Sequence, residues 1–374
     1  MSQKNNILSI YAVGDIMLGD HPHFMGIGIG SRLRKGKLID PFEHVKPILR
    51  KSDIVLGNLE TVLSEKTNRF GLNRMDMRGE PSWAKLLSEA GFNVISVANN
   101  HAMQHGIDAW YESADNLRNV GISVLGTKKE PIIILELKGI RIGILGFSLR
   151  PPQYGHLSPP YCLSSAEEVQ EMVNQAKKTT DIVILSLHWG DEYSSRPSLE
   201  QIQIGESLIQ SGASLIIGHH PHVLQGIEQK GNGIIAYSLG NFVSDMVARR
   251  SRETAILSLY LSKKGNEEFK LIPVRIGKDS CPHLLEAEED ESWKALIEQY
   301  NASLSLSKKA EIQPEYQKEI KRSIKEFRHE FLKWLIHNWQ RYPISTLFWI
   351  ISGFIMRKVF SPINCLRYSR RNRN

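Results

Sequence analysis

Cysteine is scarce in this 374-residue chain: Cys162, Cys281 and Cys365 are all there is, and no two are closely spaced. An odd, dispersed set supports neither a disulfide framework nor a thiolate zinc site. A membrane-crossing segment is missing as well. The charge-free run 344–356 (ISTLFWIISGFIM) has thirteen residues, short of the roughly 20 that a spanning helix needs. The start, MSQKNNILSIYAVGD, has too brief an apolar stretch for a signal peptide and no small-residue cleavage pattern. It reads as a first strand, and the expected location is cytoplasmic. There is no repeat of fixed period. With 41% apolar residues and 28 glycines the chain is also neither disordered nor collagen-like.

Acidic residues run out toward the end. After Glu330 there is no Asp or Glu, while Lys333, Arg341, Arg357, Lys358, Arg367, Arg370, Arg371 and Arg373 remain. From Lys308 onward 15 basic side chains face 5 acidic ones. The formal charge of +7 therefore belongs to the tail, and the first 307 residues are slightly acidic. So polarised a chain suggests that one end meets a polyanion.

The first 276 residues alternate β-branched runs with amphipathic stretches. Strands are expected at 7–13, 54–57, 94–97, 132–137, 141–147, 182–187, 215–218, 233–237, 255–261 and 269–276. Helices are expected at 42–51, 81–90, 106–120, 165–179 and 198–211. Gly91, Gly121 and Gly212 stand where left-handed helix caps belong. The alternation predicts an α/β domain over 1–276. A helical extension over 277–342, with helices at 286–300 and 315–341, and an apolar-basic tail over 343–374 follow. Pro343 breaks the second of these helices. The glycine-rich, basic stretch 25–37 lacks the strand–GxGxxG–helix context of a dinucleotide site and reads as a flexible loop.

Metal-capable side chains follow several of these strands. Gly14-Asp15 puts a carboxylate at a strand's carboxyl end, where open α/β sheets build their sites; Asp20 reads as a turn or cap. Gly57-Asn58-Leu59-Glu60 repeats the pattern. In Asn99-Asn100-His101, amides and an imidazole follow an apolar strand, and Asn is a neutral oxygen ligand for a hard cation. His188 closes another strand and alone would read as a core histidine. Gly218-His219-His220-Pro221-His222 weighs most, because three imidazoles after a buried strand are costly unless they share a function. Carboxylates, an amide and histidines without thiolates suit manganese, iron or zinc. The donors exceed what one tetrahedral zinc needs, and two divalent cations sharing a carboxylate would use them all.

Taken in order, Gly-Asp, Gly-Asn-x-Glu, Asn-Asn-His, His188-Trp189-Gly190, His-Pro-His and Ser238-Leu239-Gly240-Asn241-Phe242 resemble the CapA family of poly-γ-glutamate capsule synthesis proteins, a branch of the calcineurin-like metallophosphoesterases. The likeness spans about residues 8–276 and includes Asp40-Pro41-Phe42-Glu43 and Glu89-Ala90-Gly91-Phe92. It implies a metallophosphatase-like, four-layer αββα sandwich. It further implies one metal on Asp15 and His222, a second on Asn100, His188 and His220, and Glu60 bridging them. His219 is the spare that would substitute for His220. His101 and Asn99 would be the catalytic pair, His101 as proton donor or charge stabiliser beside phosphoryl oxygens. Two departures stand out. The wider superfamily has a histidine where this chain has Met17, a loss the CapA branch shares, and an acidic residue is usual where Gln104 stands.

The implied activity is metal-dependent phosphoester chemistry in capsule or exopolymer biosynthesis, acting on an anionic polymer or a phosphorylated small molecule. The alternatives are a phosphoesterase with an unrelated substrate and a non-catalytic scaffold of envelope assembly. The 344–356 run, between Trp339, Tyr342 and the terminal cations, suits a helix lying at an anionic membrane's inner face. Packing on the domain and a dimer seam are the other readings. No nucleic-acid partner is expected, since an apolar run does nothing for a phosphate backbone.

Overall fold

The computed structural model describes residues 7–154, 158–308 and 313–352. The last residues of the 344–356 run and the terminal basic cluster lie outside the described residues. The first half runs through β1 (Leu8–Ile16), α1 (Ile29–Arg34), α2 (Lys46–Leu49), β2 (Ile54–Leu59), β3 (Val62–Leu63), β4 (Arg78–Gly79), α3 (Ala84–Ala90), β5 (Val94–Ser96), α4 (Ile107–Asn119) and β6 (Ser123–Leu125). The second half adds β7 (Ile132–Leu137), β8 (Ile140–Ser148), α5 (Ala166–Lys177), β9 (Ile182–His188), α6 (Leu199–Gln210), β10 (Leu215–His219), β11 (Ile227–Lys230) and β12 (Gly233–Ala236). It closes with β13 (Asn241–Val243), β14 (Glu253–Ser262), β15 (Gly265–Ile276) and β16 (Pro282–Leu284). Then come α7 (Ala287–Ser307), α8 (Gln313–Asn338) and a helical segment at 344–352.

Two sheets result. One has the order β16-β15-β14-β1-β2-β5-β6, with β13 also paired to β1; the other has the order β11-β12-β10-β9-β8-β7. Within each, four consecutive strands are mutually parallel, β1-β2-β5-β6 in one and β8-β9-β10-β12 in the other. Alternate side chains of one strand serve different layers. In β1, Leu8, Ile10 and Ala12 enter the core between the sheets, whereas Tyr11 and Val13 join the core beneath α3 and α4. In β9, Ile182 and Ile184 face the other sheet, and Val183, Leu185 and Leu187 face α5 and α6. Strands buried on both faces read as continuous apolar runs, which is why they were visible in the sequence. The architecture is the expected αββα sandwich.

Local chemistry accounts for the helix ends. Ser165 and Ser198 open α5 and α6 as capping boxes with Glu168 and Gln201, and Gly91 ends α3 at φ 106°. The short edge and bridging strands β6, β11, β13 and β16 escape sequence reading, because three or four residues carry too little alternation. The expected helix over 42–51 shrinks to the four residues of α2, with turns on either side.

The stretch 25–37 is not a loop throughout. It forms α1, and two buried carboxylates clamp the approach to it. Asp20 accepts from the Gly26 N–H (2.7 Å), the Ser31 N–H (2.7 Å) and the Ser31 hydroxyl (2.6 Å). Asp245 accepts from the Ile29 N–H (3.0 Å), the His21 N–H (3.2 Å) and the Ser280 hydroxyl (3.2 Å).

The C-terminal extension packs on the sandwich. In α7, Trp293 and Tyr300 cover Leu224 and Ala255. The next helix, α8, is tied down by Arg196–Glu319 (2.7 Å) and Tyr316 to Asp191 (3.2 Å). Phe331, Tyr342 and Ile350 then cluster with Phe24, while Thr346 donates to the Met25 carbonyl (3.0 Å). Packing on the domain, one of the three readings of the apolar run, is therefore realised on one face of 344–352. Among the described residues no helix is long and apolar enough to cross a membrane.

Burial and the neighbouring Asp20 charge push the Asp245 carboxyl up to about 7. The folded chain then holds a proton that the unfolded chain releases near pH 4, so this group's stabilising contribution falls as pH rises from about 4 to 7 and levels off above. The unfolding free energy of the wild type minus that of Asp245→Asn should fall by about 2–3 kcal/mol between pH 5 and 8. Urea titrations across that range measure it. A pH-independent difference would show Asp245 ionised in both states.

Candidate metal centre

Parallel strands end at a common edge, and the two sheets present those ends to each other. Asp15 sits within β1 rather than after it, opposite Asn58 of β2 and Asn241 of β13. Its N–H donates to the Gly240 carbonyl (2.9 Å). Gly14 permits that approach, since a Cβ there would lie 2.0 Å from the Gly240 oxygen. Gly218 is there for the same reason: a Cβ would lie 1.9 Å from the Tyr237 oxygen. The glycines that precede Asp15 and His219 thus let backbones touch and bring the polar side chains in register.

The sequence-predicted donors converge. Glu60 follows β2, and its N–H donates to the Ile16 carbonyl (3.0 Å). Its Oε1 lies 3.4 Å from His188 Nε2, and its Oε2 lies 3.8 Å from His222 Nδ1. The Asp15 carboxylate lies 3.1 Å from His219 Nδ1 and 3.4 Å from His222 Nδ1. It also accepts from Asn58 Nδ2 (2.9 Å) and from the His220 N–H (3.1 Å). Asn100 Oδ1 is 2.9 Å from His188 Nε2, and the His188 and His220 rings are 4.7 Å apart. Two groups of metal-capable atoms result, Asp15–Glu60–His188 and Glu60–His220–His222, each with its atoms within 4.8 Å of one another. Glu60 belongs to both. His219 reaches Asp15, whereas His220 shares a group with Glu60.

All these residues are buried: Asp15 and Glu60 are 0% exposed, and His188, His219, His220 and His222 are at most 2% exposed. Yet both Glu60 oxygens, His188 Nδ1, His219 Nε2 and both His220 ring nitrogens have no hydrogen-bond partner among the described residues. Buried polar atoms are nearly always paired, and orphaning this many in one place is untenable without a further partner. Divalent cations satisfy carboxylate oxygens and imidazole nitrogens together, so the donor set fits them. His220 and His222 also hold positive φ values of 96° and 60°, backbone strain concentrated at the site.

The electrostatics carry the same signature. Burial pushes Asp15 up, but the hydrogen bonds and charges of His219 and His222 outweigh it and hold the carboxyl well below its usual range. Burial, then the Asp15 charge, drives Glu60 well above its own. Burial drives His188 and His220 well below theirs. His222 is raised to about 10, because Glu60 and Asp15 overcome its desolvation.

His101 lines the cavity beside this cluster, with Nδ1 2.8 Å from Gln104 Oε1. Gln104 Nε2 donates to Asp76 Oδ2 (2.6 Å). Asp76, pushed up to about 7 by burial, lies 3.7 Å from Arg69. Asn99 lies deeper, its Nδ2 donating to the Leu59 carbonyl (2.8 Å), so it braces the backbone beside Glu60. Sequence reading assigned no role to Asn58, Asn241, Asp76 or Arg69. Asn58 and Asn241 do stand in the quoted motifs, and Asn241 Oδ1 lies 3.0 Å from His222 Nδ1. Asp76 and Arg69 stand in an irregular loop with no motif to mark them. Met17 joins Met77 and Met246 in a small apolar cluster with Tyr193 against it.

The sequence model of the family described as bacterial capsule synthesis protein PGA_cap matches residues 9–246. The chain is 32% identical over 284 residues to the PGA biosynthesis protein CapA of Bacillus subtilis, covering 73% of each chain. It is 30% identical over 296 residues to the capsule biosynthesis protein CapA of Bacillus anthracis, covering 74% of this chain and 70% of that one. Among solved structures, a putative 5'-nucleotidase from Staphylococcus aureus superposes with a TM-score of 0.47 at 15% identity, covering 78% of this chain and 58% of that one. The matched stretch contains every donor of the buried cluster, and on the strength of that match and the two Bacillus relatives the chain belongs to the bacterial capsule synthesis protein PGA_cap family.

Proposed function

We propose that this chain is a metal-dependent phosphoester hydrolase of capsule or exopolymer biosynthesis, acting on a phosphorylated intermediate or end group of a poly-γ-glutamate-like polymer. The observation that carries the chemistry is the cluster of orphaned, buried carboxylate and imidazole atoms with Glu60 common to both groups. The biosynthetic setting comes from the printed names of the Bacillus relatives. In this reading Asp15 and His222 would hold one divalent cation and Asn100, His188 and His220 the other, with Glu60 common to both; this split follows the Asp15–His222 (3.4 Å) and Asn100–His188 (2.9 Å) contacts and divides the histidines differently from the two compact groups. Such a pair would supply Lewis acidity toward a phosphoryl oxygen and an activated water at neutral pH.

The protein's own groups do the rest. Gln104 gives its amide N–H to Asp76, which leaves Oε1 toward His101 and makes Nδ1 the protonated nitrogen there. Nε2 remains for the substrate. Burial keeps the imidazole below its ordinary value against the Gln104 hydrogen bond, and an incoming oxyanion raises it by adding negative charge nearby. The proton then drawn to Nε2 is the one handed to the leaving oxygen. Asn58 holds the Asp15 carboxylate and Asn241 holds the His222 ring, so neither donor has to reorganise.

Protein purified from manganese-supplemented medium should carry about two divalent cations per chain by plasma mass spectrometry. Glu60→Ala and His220→Ala should lower that content and cut turnover of bis(p-nitrophenyl) phosphate by at least about 100-fold. Full turnover by Glu60→Ala with metal content unchanged would refute the assignment.

A second reading, contact with an anionic membrane surface, is favoured by Ile344, Phe348 and Ile351. They are 74%, 72% and 52% exposed at helical spacing, in a stretch without acidic residues. Replacing Phe348 and Ile351 by Ser should reduce co-sedimentation with vesicles containing anionic lipid by several-fold. Equal sedimentation of variant and wild type would dismiss this contact.

A further inference from the structure

The cavity beside the buried cluster is about 440 Å³, in the range of small-molecule sites. One wall carries the chemistry: His101 and His222, with Arg69 near by. Part of the lining comes from outside the family match, which ends at residue 246. There α8 contributes Ile324, Phe327, Arg328 and Phe331, and the 344–352 helix contributes Trp349. The Phe327 ring lies 4.1 Å from that of Tyr193, and Tyr193 in turn lies 6.1 Å from His222. The extension thus forms part of the cavity lining. It is held there by the Arg196–Glu319 pair and by the Tyr342 hydroxyl on the His23 carbonyl (2.9 Å).

The chemistry of this lining is uneven. Met17, Met77, Met246, Phe327, Phe331 and Trp349 form an apolar surface next to a centre suited to oxyanions. Methionines adapt to irregular apolar shapes, and three of them cluster in the cavity lining. Two guanidinium groups, Arg69 and Arg328, interrupt the apolar lining, together with the carboxyl groups of Asp76 and Glu192. Arg69 stacks on Tyr154 at 4.8 Å, beside the His101–Gln104–Asp76 chain. Arg328 is exposed while lining the cavity, which puts it at the rim, and among the described residues no carboxylate pairs with it. A planar fork of donors at a rim is suited to receive a carboxylate or phosphate.

We propose that the cavity selects an elongated, amphiphilic anion: an oxyanion head at the metal centre, an apolar segment along the methionine–phenylalanine surface, and a second anionic group at Arg328. The inference rests on the phosphoester reading only for the placement of the head group. It makes the extension, and not the family core, the specificity-determining element. Simple phosphates fill the head position alone, and chain length and distal charge are read by α8.

The test is calorimetric titration of the full, metal-loaded chain with methyl phosphate, octyl phosphate and 8-carboxyoctyl phosphate. Octyl phosphate should bind at least about tenfold tighter than methyl phosphate, a modest part of the roughly fourfold per methylene that complete burial gives. The carboxylated probe should bind several-fold tighter again. Phe327→Ala should remove most of the chain-length gain, with Ile324→Ala as the substitute if that variant melts early. Arg328→Gln, at an exposed position, should remove only the carboxylate gain. Phe348→Ser, on the outer face of the 344–352 helix, should change neither. Equal affinity for methyl and octyl phosphate, gains that survive in both α8 variants, or no binding of any probe would overturn the proposal. Failure of the hydrolase reading would show differently, as these binding differences persisting without turnover of any phosphoester.

Discussion

Two carboxylates removed from water lie at the centre of this molecule. Asp15 and Glu60 are fully buried, close to each other and surrounded by imidazoles. A charge so placed survives only if it is paired and hydrogen-bonded. The protein supplies part of that compensation, through Asn58, the His220 backbone and the Asp15–histidine contacts. It leaves the Glu60 carboxylate oxygens without a hydrogen bond among the described residues. The opposite displacements of the Asp15 and Glu60 carboxyls express that imbalance. Such a cluster is compatible with divalent cations, and the surrounding fold holds its side chains in place.

The sandwich is well suited to this. Parallel strands deliver their carboxyl ends to one edge, and stacking two such sheets face to face lets the edges share a site. Close backbone approach at Gly14 and Gly218 brings β1 against the Gly240 turn and β10 against Tyr237. The donors therefore ride on rigid strand ends rather than on free loops, and strain such as the positive φ of His220 and His222 is sustained by the layers behind it. The double carboxylate clamp of Asp20 and Asp245 extends that rigidity to α1, which flanks the cavity entrance residues His21 to Phe24.

The helical extension adds to what the family-matched stretch presents. Aromatic and aliphatic side chains of α8 line the cavity, and its Arg328 is exposed. One pair of helices thus has two faces, an inner one that lines the cavity and an outer one that leaves Ile344, Phe348 and Ile351 in solvent.

The sequence by itself determined the alternation of strands and helices and the donor types, while the two-sheet layering came with the family resemblance. Short β-branched runs bounded by turn residues read as buried strands, and the polar residues at or after their ends, Asp15, Glu60, Asn100, His188 and the 219–222 histidines, mark strand ends. Both signals are local, so they survive without coordinates. The tertiary structure decided the rest. Asp15 and His220 are 205 residues apart in sequence and joined by one hydrogen bond, a proximity set by sheet register and inter-sheet packing. The distinction between His219, which faces Asp15, and His220, which shares a group with Glu60, turns on which way successive side chains point at a strained strand end. The Gln104–Asp76–Arg69 chain, the folding of 25–37 into α1 and the lining of the cavity by α8 likewise arise from long-range contacts, for which a linear pattern carries no period to read.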